Sequence, residues 1–279
     1  MINLKTAIPT PVKLLTHWMG WHGQPSRVNH VTRYRSVDPW AIDAQLDAMQ
    51  AVGIDGAIAT WQGPTVNPYL HQATIGLCER LGRRQMLFAL LLDPWIAKGQ
   101  PNPTQVATAA LQHPDTVEML ASSAYLPEKY VLEFDLASAG VNVPQLVAAF
   151  PKSPIISKHS GYSWPEISST MAILAADNAN PAMKIPGVIL QFFDGGQPLP
   201  AGSFTNAPLW NGNRDYNTSV WGGSPARMIE HQAGNIFLDS AALVPKSAPY
   251  AAVVTWNDYE EGTAIEPFCS MISGIRIGK

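Results

Sequence analysis

Tyr250-Ala251-Ala252-Val253-Val254-Thr255-Trp256-Asn257-Asp258-Tyr259-Glu260-Glu261 is the stretch whose reading decides the fold. Its first five residues are a short apolar run, the pattern of a strand buried on both faces. The continuation, through Gly262-Thr263-Ala264-Ile265-Glu266-Pro267, adds a fourth carboxylate to Asp258, Glu260 and Glu261. A buried strand cannot hold so many acids, so these residues belong to a loop at its end. Loops in that position on a rigid scaffold are where an enzyme keeps its acid and base groups.

Working outward, the same layout recurs about eight times. Strands are expected at Val12–Trp18, Gly56–Trp61, Met86–Asp93, Tyr130–Asp135, Pro154–His159, Gly187–Phe193, Asn235–Asp239 and Ala251–Trp256. Helical patterns fill most of the gaps. Asp38-Pro39-Trp40 opens one, with Asp at the N-cap, Pro at the first position and apolar residues at Ile42, Leu46, Met49 and Val52, and Gly53 ends it. Others are expected at about Tyr69–Leu81, Pro103–Ser123, Val143–Phe150, Trp164–Ala176 and Pro225–Gln232. The gap before the last strand shows no convincing helix. Alternation of this kind implies a parallel sheet, and eight repeats imply closure into an α/β fold of the (β/α)8 TIM-barrel type. No shift in composition marks a linker, so residues 1–279 read as a single domain. Asp194 to Ser224, after the sixth expected strand, is a long loop without period, either a binding loop or a disordered one. Its Trp210 and Trp221 favour binding.

Composition narrows the function classes. The 279 residues are 46% hydrophobic and 14% charged, enough to bury a large core. A net charge of -3 gives no electrostatic footprint for nucleic acid or an acidic membrane. The N-terminus lacks the apolar core of a signal peptide, and no apolar run approaches the ~20 residues that span a bilayer. Cytoplasmic residence, or secretion with a leader removed, are both compatible. Cys78 and Cys269 stand far apart with no metal-ligand spacing and read as free thiols.

Nearly every expected strand finishes on a titratable or aromatic residue. His17 and Trp18 end the first, Trp61 the second, Asp93 the third and Asp135 the fourth. His159 ends the fifth, Asp194 the sixth and Asp239 the seventh. Of nine tryptophans only Trp40 sits at a helix start. Trp18, Trp21, Trp61, Trp95, Trp164, Trp210, Trp221 and Trp256 all fall at strand ends or in the loops beyond. Indole faces stack on the C–H faces of sugar rings; the competing reading is that each ring fills core. Asp258 and Glu261 suit glycoside hydrolysis, which needs one carboxyl group to protonate the leaving oxygen and another as base or nucleophile. Two acids held close repel, which raises one pKa and separates their roles. A surface acidic turn, or a helix N-terminus rich in acids, would give the same spacing.

Trp256-Asn257-Asp258-Tyr259-Glu260-Glu261-Gly262-Thr263-Ala264-Ile265-Glu266-Pro267 resembles the W/F-N-E-W-x-E-G-T-x-I-E-P signature of glycoside hydrolase family 99-like proteins. Thr255-Trp256-Asn257-Asp258-Tyr259 is equally similar to the T-W-N-D-Y segment of family 71 α-1,3-glucanases. Gly53-Ile54-Asp55-Gly56-Ala57-Ile58 with Trp61 resembles the second-strand region of both. The resemblance implies that Glu261 stands where family 99 has its general acid/base. Asp258 stands where that family has a glutamate assisting attack by the sugar's own 2-hydroxyl. Asp93 lies near a strand-three acid used for sugar binding, and Trp61 matches a stacking ring. Asp258 is one methylene shorter than that glutamate and matches family 71, which leaves retention or inversion of the anomeric centre open.

Metal readings through His17, His22, His159 and Asp239 lack H-x-H or H-E-x-x-H spacing. Gly195-Gly196 and Gly222-Gly223 lack the companion residues of a phosphate loop. His17 and His159 read as hydrogen-bonding groups for sugar hydroxyls or as structural histidines. The expectation is a monomeric hydrolase of α-linked, mannan- or glucan-type oligo- or polysaccharides, without cofactor or metal and with neither nucleic acid nor membrane as partner. Asp258 and Glu261 would do the chemistry. His17, Trp18, Trp61, Asp93, Asp135, His159, Asp239, Trp256 and Asn257 would bind substrate. The alternative is a catalytically inactive carbohydrate-binding barrel.

Overall fold

The computed structural model describes residues 3–24, 34–157, 175–180, 184–189, 192–194, 227–229 and 235–257. Strands β1 (Lys13–Trp18), β2 (Gly56–Trp61) and β3 (Leu87–Leu92) are six residues each and almost wholly buried. Shorter strands follow at β4 (Val131–Glu133), β5 (Ile155–Ser157), β6 (Gly187–Ile189), β7 (Phe192–Asp194) and β8 (Arg227–Ile229), and β9 spans Tyr250–Val254. The helices are α1 (Pro39–Ala51), α2 (Pro68–Arg83), α3 (Pro103–Gln112), α4 (Pro114–Ala121), α5 (Val143–Ala149) and α6 (Asn235–Ala242). Proline opens most of them because its fixed φ suits the first turn, where its missing N–H costs nothing. Asn67 and Asn142 cap α2 and α5, accepting from the N–H of Leu70 and Gln145 at 3.1 Å each. Gly53 ends α1 at φ +83°, and a Cβ there would strike Asn3 Oδ1 at 2.1 Å.

Seven strands form one sheet in the order β5-β4-β3-β2-β1-β9-β6, and every pairing in it is parallel. The sheet curls into a half-barrel with helices outside, the α/β TIM-barrel-like architecture expected from the alternation. Parallel strands put all their carboxyl ends at one end. His17 through His22, Trp61, Asp93, Asp135 and Asn257 therefore leave the sheet together.

Four expectations are corrected. Asn235–Asp239 is the start of helix α6, not a strand. Phe237, Ser240 and Ala241 are buried while Leu238 and Asp239 are exposed, the period of an amphipathic helix. Gly187–Phe193 is not one strand: β6 pairs with β9, whereas β7 pairs antiparallel with β8 in a separate two-stranded sheet. β6 thereby takes the ring position next to the last strand rather than the sixth. Arg227–Ile229 is strand where a helix over Pro225–Gln232 was expected. Pro103–Ser123 is two helices, because Pro114 offers no N–H and its ring collides with the preceding turn. The helix expected at Trp164–Ala176 lies outside the described residues except for its last two positions, and the loop expected after Asp194 lies outside them as far as Ser224.

Candidate functional site at the carboxyl end of the sheet

Side chains alternate faces along a strand, and registered neighbours in a parallel pair share a face. On β1, Trp18 turns outward: its indole N–H donates to Gln45 Oε1 of α1 at 2.5 Å. His17, one residue earlier, therefore faces the barrel interior, in register with Ile58 of β2. On β2, Trp61 also turns outward and donates from Nε1 to His71 Nδ1 of α2 at 3.0 Å. Both indoles are fully buried between sheet and helices. Stacking on a sugar requires an open ring face, so Trp18 and Trp61 are corrected from substrate rings to core. Asp239 is likewise corrected: it lies on the exposed side of α6 and ends no strand.

The residues that do gather at the sheet's carboxyl end come from the loops after β1, β3, β4 and β9. Asp93 leaves β3 and accepts from the Trp95 N–H at 2.8 Å, which caps the 3-10 turn Pro94–Ile96. Trp95 is 54% exposed, with the Lys98 ammonium 4.2 Å from its ring centroid. It is an exposed indole of this end, one of the eight tryptophans at strand ends or in the loops beyond. Asp135 is exposed in a left-handed conformation, φ 47°, before the 3-10 turn Leu136–Ala139. That turn packs against Pro94–Ile96. Trp256 is fully buried, and its indole N–H has no hydrogen-bond partner among the described residues. Its backbone N–H donates to the His17 carbonyl at 2.6 Å.

Asn257 is held from several sides. Its Oδ1 accepts from the Met19 N–H at 2.8 Å, and its Nδ2 donates to the Met19 carbonyl at 3.0 Å and to Tyr34 Oη at 3.2 Å. His22 Nε2 lies 2.9 Å from the Asn257 carbonyl, which can only accept, so that nitrogen carries a proton. The His22 ring meets Tyr34 edge-on at 5.5 Å, and the His22 carbonyl takes the Tyr69 hydroxyl at 2.6 Å. Burial pushes the Tyr69 phenol above its usual pKa, against the nearby Arg35. Asn257 was expected to bind substrate; both of its side-chain N–H groups are committed to Met19 and Tyr34. Asp258, Glu261 and His159 lie outside the described residues.

A second polar cluster sits behind the sheet. His71, His113 and Asp115 bring one ligand atom each within 4.8 Å of one another. They do not suit a metal. Trp61 donates to His71 Nδ1, so the neutral ring keeps its proton on Nε2, which faces Asp115 Oδ2 at 3.1 Å. A metal would need the Nε2 lone pair, and a ligating histidine normally donates its other N–H rather than accepting there. Trp61, His71 and Asp115 form a hydrogen-bonded relay tying β2 to α2 and α4, and the His113 ring stands edge-on to His71 at 5.6 Å.

That relay makes a pH prediction. Burial lowers the His71 pKa, outweighing the Asp115 carboxylate, which raises it. Protonation would place a second N–H against that of Trp61. The unfolded chain takes up this proton near its ordinary value of ~6.5, while the folded chain resists until lower pH. Stability tied to His71 is therefore present above ~6.5 and lost as pH falls below it. His71→Gln can accept from Trp61 and donate to Asp115 without titrating. Thermal melts from pH 7 to 5 should show a smaller fall in Tm for His71→Gln than for wild type.

No family profile matches the chain, and no curated protein does. Solved structures do. A family 99 endo-α-mannosidase from Bacteroides thetaiotaomicron, in complex with bis-tris-propane, superposes with a TM-score of 0.58 at 15% identity, covering 91% of this chain and 86% of that one. A second structure of the endo-α-mannosidase from the same organism gives 0.59 at 14% identity, over 91% and 87%. A glycoside hydrolase-like protein gives 0.56 at 9% identity, over 91% and 86%. The chain has a family 99-like glycoside hydrolase fold.

Proposed function

We propose that this chain is a glycoside hydrolase acting on α-linked glycans of mannan or glucan type. Glu261 serves as general acid, and Asp258 as base or as assistant to the sugar's own hydroxyl. The observation that carries the reading is the end of β9. Asn257, held by four hydrogen bonds, lies at the carboxyl end of a parallel barrel-type sheet, and the carboxylate motif begins one residue later. Barrel enzymes build their active sites at that end. The inward-facing His17 and the exposed Trp95 supply groups of the kind that bind sugar hydroxyls and ring faces. Asp93 and Asp135 belong to the same end. No metal or organic cofactor is required by this chemistry, and the substrate is the partner.

The test is a screen of wild type against α-mannans and α-glucans, with NMR of the first-formed anomer. Release of a reducing sugar with one defined anomer supports the reading. Saturable glycan binding without turnover would replace it by the inactive binding barrel. Trp95 gives a separate check. Stacking on an aromatic face contributes on the order of 1 kcal/mol, so Trp95→Ala should raise KM roughly threefold to tenfold. Because the ring is exposed, the urea midpoint should stay where it is.

A further inference from the structure

We infer that Asn257 is a positioning residue that sets the direction of Asp258, and that the loop after β1 is thereby part of the working site. The inference rests on the proposed hydrolase reading. Asn257 is fully buried, and one peptide unit of spacing separates it from Asp258. Its amide meets both polar groups of Met19, accepting at 2.8 Å and donating at 3.0 Å, as a neighbouring strand would. Its second N–H goes to Tyr34 Oη at 3.2 Å, and its main-chain carbonyl takes the His22 proton at 2.9 Å. Side chain and main chain are thus both fixed, by three different residues of the chain around β1.

Only a side-chain amide of this length can do this. Aspartate accepts but cannot donate to the Met19 carbonyl or to Tyr34, and glutamine carries its amide one methylene too far. A peptide leaving a strand has two soft dihedrals per residue. Without the clasp, the carboxylate that follows would inherit that freedom. Catalytic groups must be held within about 0.5 Å of their productive position, and a displacement of ~1 Å can cost about a hundredfold in rate. The chain fixes the residue before the acid using the strand it already pairs with: β1 and β9 are hydrogen-bonded neighbours from Lys13–Tyr250 to Thr16–Val253. The clasp continues that pairing past the last strand residue.

A residue that only stabilised the fold would cost the same factor of activity whatever stood at 258. One that acts through Asp258 would not. The experiment is a double-mutant cycle on nitrophenyl α-mannobioside and nitrophenyl α-glucobioside, whose activated leaving group keeps weak variants measurable. Asn257→Ala should lower kcat about a hundredfold with KM changed less than about threefold. In the Asp258→Asn background the same substitution should cost less than about threefold more, the non-additivity of coupled residues. Tyr34→Phe, which spares both Met19 bonds, should lose a few-fold in kcat with the same dependence on Asp258, and it decides the matter if Asn257→Ala does not fold. Equal losses in both backgrounds overturn the inference alone. Absence of turnover in wild type, or full turnover in Asp258→Asn, overturns the hydrolase reading and the inference with it.

Discussion

Glu261→Gln is expected to lower kcat by roughly a hundredfold to ten-thousandfold on natural glycans, the range that a positioned general acid supplies. The amide keeps the size of the side chain and loses the proton it would give to the leaving oxygen. The loss should shrink on nitrophenyl glycosides, whose leaving group departs without protonation. That contrast separates a general acid from a group that merely binds the sugar, since a binding group would be missed on both substrates. Asp258→Asn should impair both substrates, because a base or an assisting carboxylate acts on the attacking group. The measurement is kcat and KM for each variant on both substrate types. A Glu261→Gln variant that matches wild type on natural glycan removes the residue from the mechanism.

Trp61→Ala is expected to destabilise the fold by about 3–5 kcal/mol, the cost of truncating a fully buried tryptophan. The ring fills the space between β2 and α2, and its N–H satisfies His71 Nδ1 at 3.0 Å. A loss of that size is a large share of the ~5–15 kcal/mol that holds a typical domain. Trp61→Phe keeps most of the volume and loses the hydrogen bond and part of the ring packing, so it should cost less than Trp61→Ala, about 1–3 kcal/mol. Urea denaturation of the three proteins measures both. The resemblance to family 99 implied that Trp61 stacks on substrate. Were that so, Trp61→Ala would raise KM and leave the denaturation midpoint alone. The burial and the bond to α2 lead to the opposite outcome.

Most of the fold could be read along the chain because its signals are local. Pro39, Pro68 and Pro103 mark helix starts, Gly53 marks a helix end, and the apolar runs of β1, β2, β3 and β9 lie within a residue or two of their expected bounds. The errors share a cause. Asn-Ile-Phe-Leu-Asp is too short an apolar run for its period to distinguish a strand from a helical turn, and only packing on β6 made it helix α6. Gly187–Phe193 reads as one run, yet its halves pair with partners at Ala252–Val254 and Arg227–Ile229. Pairing across such separations leaves no mark in either segment.

The same limit governs the site. By itself the sequence determined that a parallel α/β sheet ends its strands in aromatic and acidic residues, and that the densest group of acids follows the last strand. Only the tertiary structure decided what each strand-end residue faces. Successive side chains on a strand point to opposite sides, so a shift of one residue moves a ring from sugar to core. His17 and Trp18 are neighbours in sequence and lie on opposite faces; Trp18 and Trp61 belong to the helices, and Trp95 lies open beyond β3. Asn257, legible only as part of a motif, became the link between two loops because Met19, His22 and Tyr34 are brought to it by the pairing of β1 with β9.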